Sequence, residues 1–226
     1  MADRAFTSEE LAEKGKLAEI SARVVLTCLY LASVGRPDLL WTVNLLARQV
    51  TKWTKACDRR MERLISYIHR NRDHTHVNFV GDPPEDCFLA LFQDASFAGD
   101  LMDSKSTSGG LLALVGPKTF VTLAWRCKKQ TAVSHSSAEA EVISLDAGVR
   151  MEGIPALVLW DQIVEVLSPQ AAQKKKAMLP EKASGLLHPR AALEMLAEID
   201  DVPPTYPQSK GLVKLVVLKT TSQSSK

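Results

Sequence analysis

Cys87-Phe88-Leu89-Ala90-Leu91-Phe92-Gln93-Asp94-Ala95-Ser96-Phe97-Ala98-Gly99-Asp100 is the stretch on which the reading of this chain turns. Its apolar run, Cys87 to Phe92, predicts a strand. Asp94 follows that run, and a carboxylate at the end of a buried strand is costly unless it is paired or holds a cation. Two further acids, Glu139 and Glu141, stand at the head of a helix predicted to begin near Ser137. Acids on neighbouring elements can meet, and all-oxygen ligation suits Mg2+. The plainer reading of the same residues is a solvated turn aspartate and an ordinary pair of helix-start glutamates.

On the C-terminal side of the stretch, a turn over Gly99 to Lys105 leads into a strand-like run, Gly109 to Val115. Gly116-Pro117-Lys118 turns the chain again, and Thr119 to Arg126 forms the next run. Strands joined by short turns predict an antiparallel meander. Helical periodicity resumes with Val142, Ile143 and Leu145 and continues with Leu157, Leu159, Trp160, Ile163 and Val166. Pro155 is expected to break or kink that region into two helices. Pro169 to Lys176 reads as a polar linker, Ala191 to Ile199 as a short helix and Asp200 to Pro204 as a turn. Leu212 to Leu218 is the later strand candidate, and Thr220 to Lys226 a frayed tail.

On the N-terminal side, Gly81 to Asp86 is a turn that separates a strand-like run, His76 to Val80, from the Cys87 run. Before it the pattern is helical. Thr7 and Glu10 have capping-box spacing, and the helix they start should run to Gly35-Arg36-Pro37. A second helix is predicted over about Asp38 to Val50 and a third over about Lys55 to Asn71, with Met61, Leu64, Ile65 and Ile68 facing inward. From Arg36 to Arg72 there are nine Lys or Arg against three Asp or Glu, with Trp53 and Tyr67 interleaved. Such a face, Arg59 and Arg63 included, can track a phosphate backbone, and it is equally compatible with a solvated helix surface.

The chain has 226 residues, a formal net charge of +2 and four scattered cysteines. Length allows one large domain or two small ones. No CxxC pair signals zinc or a disulfide framework, so the cysteines read as small buried residues of a reducing compartment. No apolar run has the length of a membrane span or the form of a signal peptide, so the expected location is intracellular, cytoplasmic or nuclear.

Taken together, four sequence words make the chain resemble the ribonuclease H region of copia-type retrotransposon polyproteins. They are Gln93-Asp94-Ala95-Ser96-Phe97-Ala98-Gly99-Asp100, Ser104-Lys105-Ser106-Thr107-Ser108-Gly109, Trp125 with Lys128-Lys129-Gln130, and Val133-Ser134-His135-Ser136-Ser137-Ala138-Glu139-Ala140-Glu141. The segment from Leu29 through Gly35-Arg36-Pro37-Asp38 to Ile68 is similar to the end of the preceding reverse transcriptase, its thumb or connection helices. The organisation implied is a helical connection segment over 1–75, a partial ribonuclease H-like domain over 76–167, and a linker with an unmatched tail over 168–226. The fold class implied is α/β: a ribonuclease H-like mixed sheet, incomplete, with its three-stranded antiparallel meander and helices preceded by the helical segment.

The resemblance implies cleavage of RNA in RNA–DNA hybrids by two Mg2+ ions held on four carboxylates. Asp94 occupies the first-strand position and Glu141 the first-helix position of that set, with Glu139 a lesser candidate ligand. Ser134, Ser136, Ser137, Lys128 and Lys129 become candidate nucleic-acid contacts beside Arg59 and Arg63, although Ser136 or Ser137 is as well explained as a helix cap. The other two carboxylates of the family have no counterpart. Asp146 and Asp161 fall inside helices, Asp200 and Asp201 precede no matching strand, and Leu212 to Leu218 carries no acid. Two carboxylates should hold two Mg2+ ions poorly, so the expected function is an impaired ribonuclease H-type domain from a longer Pol polyprotein. The alternatives are a non-catalytic nucleic-acid-binding remnant and a decayed polyprotein fragment.

Overall fold

The computed structural model describes residues 6–99, 103–178 and 209–219. Among these residues the fold is mixed α/β, built on a four-stranded mixed sheet. Strands β1 (Phe88–Ser96), β2 (Thr107–Gly116) and β3 (Thr119–Lys129) form the antiparallel meander expected from the turn spacing. Strand β4 (Leu215–Lys219) lies parallel to β1, giving the order β3-β2-β1-β4. The run His76 to Val80 is not a strand. Phe79 makes an isolated bridge to Phe120, while the Asn78 side chain accepts the Thr122 N–H at 3.0 Å where a strand would have offered a backbone carbonyl. Val77, Phe79 and Val80 are all exposed, so no buried face holds that run flat.

Paired residues on neighbouring strands share a face of the sheet. Leu89, Leu91, Leu112 and Leu114 enter one core cluster together with Val164, Leu212 and Val213. Gln93, Gly110 and Arg126 continue the same face. The opposite face carries the rows Phe92–Leu111–Trp125 and Asp94–Gly109–Cys127. There, Trp125 and Cys127 pack against a second, helical core of Val25, Leu39, Val43, Leu46, Trp53 and Met61, among others. The Trp125 indole donates to the Ala32 carbonyl and the Asn44 amide to the Cys127 carbonyl, each at 2.8 Å.

The helical region holds α1 (Ser8–Ala12), α2 (Ser21–Val34), α3 (Leu40–Ala47) and α4 (Lys55–Arg70). The capping box of Thr7 and Glu10 forms as expected. The helix it starts stops at Ala12, and α2 begins anew at Ser21. The break has a tertiary cause. Asp58, buried on α4, accepts the backbone N–H groups of Lys16 at 2.6 Å and Leu17 at 3.2 Å, and the Trp53 indole at 2.7 Å. Gly15 passes so close that a Cβ there would stand 2.6 Å from the Thr54 carbonyl oxygen. Within α4, Met61 and Leu64 are buried as expected and Ile68 is half-buried, but Ile65 is exposed.

Arg36 is buried and forks onto Asp38 at 2.9 and 2.8 Å while donating to the Asn71 carbonyl at 3.0 Å. This ties the α2–α3 turn to the end of α4. The guanidinium holds the Asp38 carboxyl below its usual value. A depressed acid contributes stability above its unfolded-state pKa and loses it as pH falls through the folded-state value. Urea unfolding should therefore show stability declining on acidification below the ordinary aspartate range. Asp38→Asn should flatten that decline, and an identical acid limb in both proteins would refute the assignment.

Past the meander, α5 (Ser137–Gly148) passes through one π-helical turn (Val149–Gly153) into α6 (Ile154–Leu167), so the region falls into two α-helices joined by an irregular turn just before Pro155, whose lack of an N–H interrupts the regular ladder there. The wide turn has a use. A Cβ on Gly148 would collide with Gln93, and one on Gly153 would stand 3.0 Å from Leu215 and 3.4 Å from Leu91. In a regular α-helix residues five apart point about 140° away from each other. The i→i+5 bond from Ile154 N–H to the Val149 carbonyl widens the turn and lets both glycines face the sheet.

Pro169 to Lys176, expected as a linker, lies within a helix, α7 (Pro169–Met178). Ala172 is buried, Ser168 donates to Glu85 at 2.6 Å, and the Lys175 ammonium reaches the Glu85 carbonyl. The Leu212 to Leu218 candidate is realised as β4, shifted by a few residues, with Leu212 and Val213 buried before it. Asp161 on α6 anchors its approach. Its carboxylate, itself buried, accepts from Lys210 N–H at 2.6 Å, Val213 N–H at 3.0 Å and the Ser209 hydroxyl. Gly211, at φ 73°, allows the backbone to curl round that carboxylate. Asp100, Ala191 to Ile199, Asp200 to Pro204 and Thr220 to Lys226 lie outside the described residues.

Candidate functional site

Asp94 stands near the C-terminal end of β1, half-buried and opposite Gly109 on β2. Its neighbour Gln93 is buried and points the other way, under α5. With its amide nitrogen turned to the helix, Gln93 donates to the carbonyls of Gly109 and Ser144, each at 3.1 Å. The slot for that side chain is made by two glycines. A Cβ at Gly148 would stand 2.2 Å from a terminal amide atom of Gln93, and one at Gly110 2.6 Å. The buried Ser144 hydroxyl then donates to the backbone carbonyl of Asp94 at 2.8 Å. Helix α5 is thereby fastened to the strand at the acid itself. Glu141 precedes Ser144 by three residues, so it lies on the same flank of α5, half-buried.

Glu139 has a different task. Its carboxylate accepts the His135 N–H at 2.7 Å, and its own N–H donates to Ser136 Oγ at 3.1 Å. Together these contacts cap the helix, the capping role anticipated for Ser136. Ser136 and Ser137 are exposed at the helix start. Ser134 is buried and donates to Gln130 at 3.0 Å, while the Gln130 amide donates to Ser108 Oγ at 3.0 Å and to the Ala140 carbonyl at 2.8 Å. Its hydroxyl therefore joins the end of β3 to α5 from the inside.

Of the candidate cations, Lys128 is exposed on the Gln93 face of the sheet. Lys129 is on the Asp94 face and pairs with Asp103 at 2.6 Å. Arg59 pairs with Glu10 at 2.6 Å and lies over the Phe6 ring at 5.2 Å, whereas Arg63 is exposed on α4. Beneath the sheet, Arg126 faces Glu152 of the π turn at 3.4 Å. Burial pushes the Glu152 carboxyl up, and the Arg126 charge opposes that shift. Asp146 pairs at 3.7 Å with Arg150 on the helix surface, and Asp161 is committed to the β4 approach. Among the described residues no three His, Cys, Asp or Glu side chains are grouped so as to hold a metal ion. No described helix is long and apolar enough to cross a membrane. Cys28, Cys57, Cys87 and Cys127 are free thiols, the first three buried as expected and Cys127 half-buried.

Gln93, Ser144 and Gly148 were not singled out by the sequence. A glutamine directly before the strand-end acid was visible, but its helical partner Ser144 lies about fifty residues away, and no local pattern joins them.

Over 118 residues, 52% of this chain and 78% of the relative, it is 31% identical to secreted RxLR effector protein 161 of Plasmopara viticola. The chain belongs to the same family as that protein. The chain is also similar to retrotransposon Pol polyproteins. This chain is 28% identical over 133 residues to the retrovirus-related Pol polyprotein from transposon TNT 1-94 of Nicotiana tabacum. It is 32% identical over 123 residues to the retrovirus-related Pol polyprotein from transposon RE2 of Arabidopsis thaliana. The matches take up 58% and 54% of this chain but only 9% and 8% of the polyproteins, so the chain spans less than a tenth of either. No protein-family model and no solved structure matches it.

Proposed function

We propose that the chain is a retroelement-derived ribonuclease H-type domain that binds nucleic acid, with RNA–DNA hybrid as its ancestral substrate and with hydrolysis impaired. The observation that carries this reading is the fastening of α5 to β1 at Asp94. An acid stands near the end of β1, a helix bearing a second acid is bonded to that acid's backbone, and a parallel strand flanks β1 on the side away from β2. The relationship to Pol polyproteins supports it. So does the basic surplus between Arg36 and Arg72.

The donor set fits a two-ion Mg2+ centre poorly. Asp94 and Glu141 are the acids on adjoining elements, Glu139 is engaged in capping, and no third ligand joins them among the described residues. Two carboxylates leave too little negative charge to offset the dehydration of two divalent ions. The activity these residues support is binding.

The test is a labelled RNA–DNA hybrid titrated with the full chain at several salt concentrations, beside cleavage assays in Mg2+. Binding should weaken steeply with salt, and cleavage should stay at background for both the wild type and Asp94→Asn. Cleavage by the wild type well above that of Asp94→Asn would restore a working nuclease. No binding at low salt would overturn the nucleic-acid reading.

A further inference from the structure

The run His76 to Val80 lies along the edge of β3, the outermost strand of the sheet, and it is patterned like a strand without being one. Among the described residues, Phe79 alone of this run makes backbone bonds. Its N–H donates to the Phe120 carbonyl at 3.1 Å and its carbonyl accepts the Phe120 N–H at 2.9 Å. The side chains around it are apolar and uncovered: Val77, Phe79, Phe120 and Leu123 are 43% to 78% exposed. Val34 of α2 shares a cleft of about 310 Å3 with Leu123, His76 and Asn78. Tyr30 precedes Val34 by one helical turn, and these two are 73% and 63% exposed. Side chains of this size expose roughly 100–200 Å2 each at such fractions and about 800 Å2 together, the share one partner contributes to a standard interface. The largest apolar patch on an ordinary monomer is about 300–600 Å2. No charge interrupts this one, since residues 24–35, 74–81 and 119–125 contain no Asp, Glu, Lys or Arg.

We propose that this face is a dimer interface, on which a second copy of the chain seats about a two-fold axis with the two His76 to Val80 runs paired antiparallel. The axis falls at Asn78, so that Val77 stands opposite the partner's Phe79. Alternation along a strand sends the backbone groups of Phe79 to β3 and those of Asn78 and Val80 away from it, where the second copy lies. The pairing supplies both things the run lacks alone, a partner for its outer backbone groups and a buried face to hold it flat. It also covers an edge of the sheet. A two-fold contact requires a surface that complements itself. An uncharged face meets that requirement, because turning it on itself sets no like charges together, and charged residues are depleted at the centre of interfaces. The inference is independent of the nucleic-acid reading.

The mass of the 226-residue chain, followed by sedimentation equilibrium from ~1 to ~100 µM, tests this. The wild type should rise with concentration from 24.8 kDa toward twice that value. Phe79→Asp and Tyr30→Lys place charges in the centre of the face and should stay at 24.8 kDa throughout. Both side chains are exposed, so the urea midpoints of these variants at the lowest concentration should match that of the wild type. Leu159→Ser removes an exposed apolar side chain from α6, which packs on the opposite face of the sheet, and should dimerise as the wild type does. In concentrated wild type the amides of Asn78 and Val80 should exchange roughly tenfold more slowly than in Phe79→Asp. A mass of 24.8 kDa at every concentration would overturn the proposal and leave the face to a partner of another sequence. A dimer that survives both Phe79→Asp and Tyr30→Lys would place the contact elsewhere and overturn it as well. Unslowed exchange of the Asn78 and Val80 amides within a dimer would overturn the strand pairing.

Discussion

Asp161→Ala is expected to release β4 from the sheet. The wild-type carboxylate is buried and takes three donors from residues 209–213, across a sequence gap of about fifty residues. Removing it leaves the Lys210 and Val213 N–H groups facing a cavity. The cost should be about 3–5 kcal/mol, since each bond to a charged acceptor is worth more than a neutral one and buried donors would be orphaned. That is a large fraction of the roughly 5–15 kcal/mol that holds a typical domain together. The loss should be local first. Strand β4 has five residues paired to β1, and the loop that delivers it depends on the anchor. Hydrogen exchange should show the amides of Leu215 to Leu218 losing protection, while those of Leu112 to Leu114 in β2 keep most of theirs. Asp161→Asn should lose most of the same stability, because its NH2 group would confront donors. Unaltered protection of β4 in Asp161→Ala would show that strand pairing alone holds the segment.

Asp58→Ala should damage the helical region to a similar extent. Asp58 is the shared acceptor for Lys16, Leu17 and Trp53, so its loss orphans two backbone donors and one buried indole together. We expect a loss of about 3–5 kcal/mol in urea unfolding. Trp53→Phe alone should cost less, because it removes one donor and leaves the other two bonds in place. Combining it with Asp58→Ala should cost clearly less than the sum of the two single changes, as residues sharing one network are not additive. Strict additivity would mean that the indole–carboxylate bond contributes nothing.

Asp161 is an acid on a late helix, and it is turned to structural work. It holds in place the strand that flanks β1. The tail therefore contributes a wall to the domain while contributing no described acid to it.

Much of this was legible along the chain because it is local. Alternating apolar runs between glycine-rich turns specified the meander, since strand and turn preferences act over a few residues. The Thr7 and Glu10 capping box, the extent of α4 and the start of α5 followed from the same short-range rules. The words around Asp94 and Glu141 pointed to retrotransposon Pol polyproteins, to which the chain is similar, and gave no sign of the effector protein. What local pattern misjudged was set by distant partners. Helix α1 stops because residues forty-odd positions on hold the backbone that follows it, the Trp53 carbonyl taking the Gly15 N–H and Asp58 those of Lys16 and Leu17. Residues 169–178 form a helix because Ala172 is buried and Glu85 receives Ser168 and Lys175.

Local sequence was enough for the strands of the meander, the acid near the end of the first of them and the likeness to retrotransposon Pol polyproteins. Packing was needed to set β4 parallel to β1, to fasten α5 to Asp94 through Gln93 and Ser144, and to put the helical region on the Asp94 face. The reason is physical. Strands and caps are chosen by neighbours in the chain, whereas buried polar anchors are chosen by whichever distant donors the packed core leaves without water.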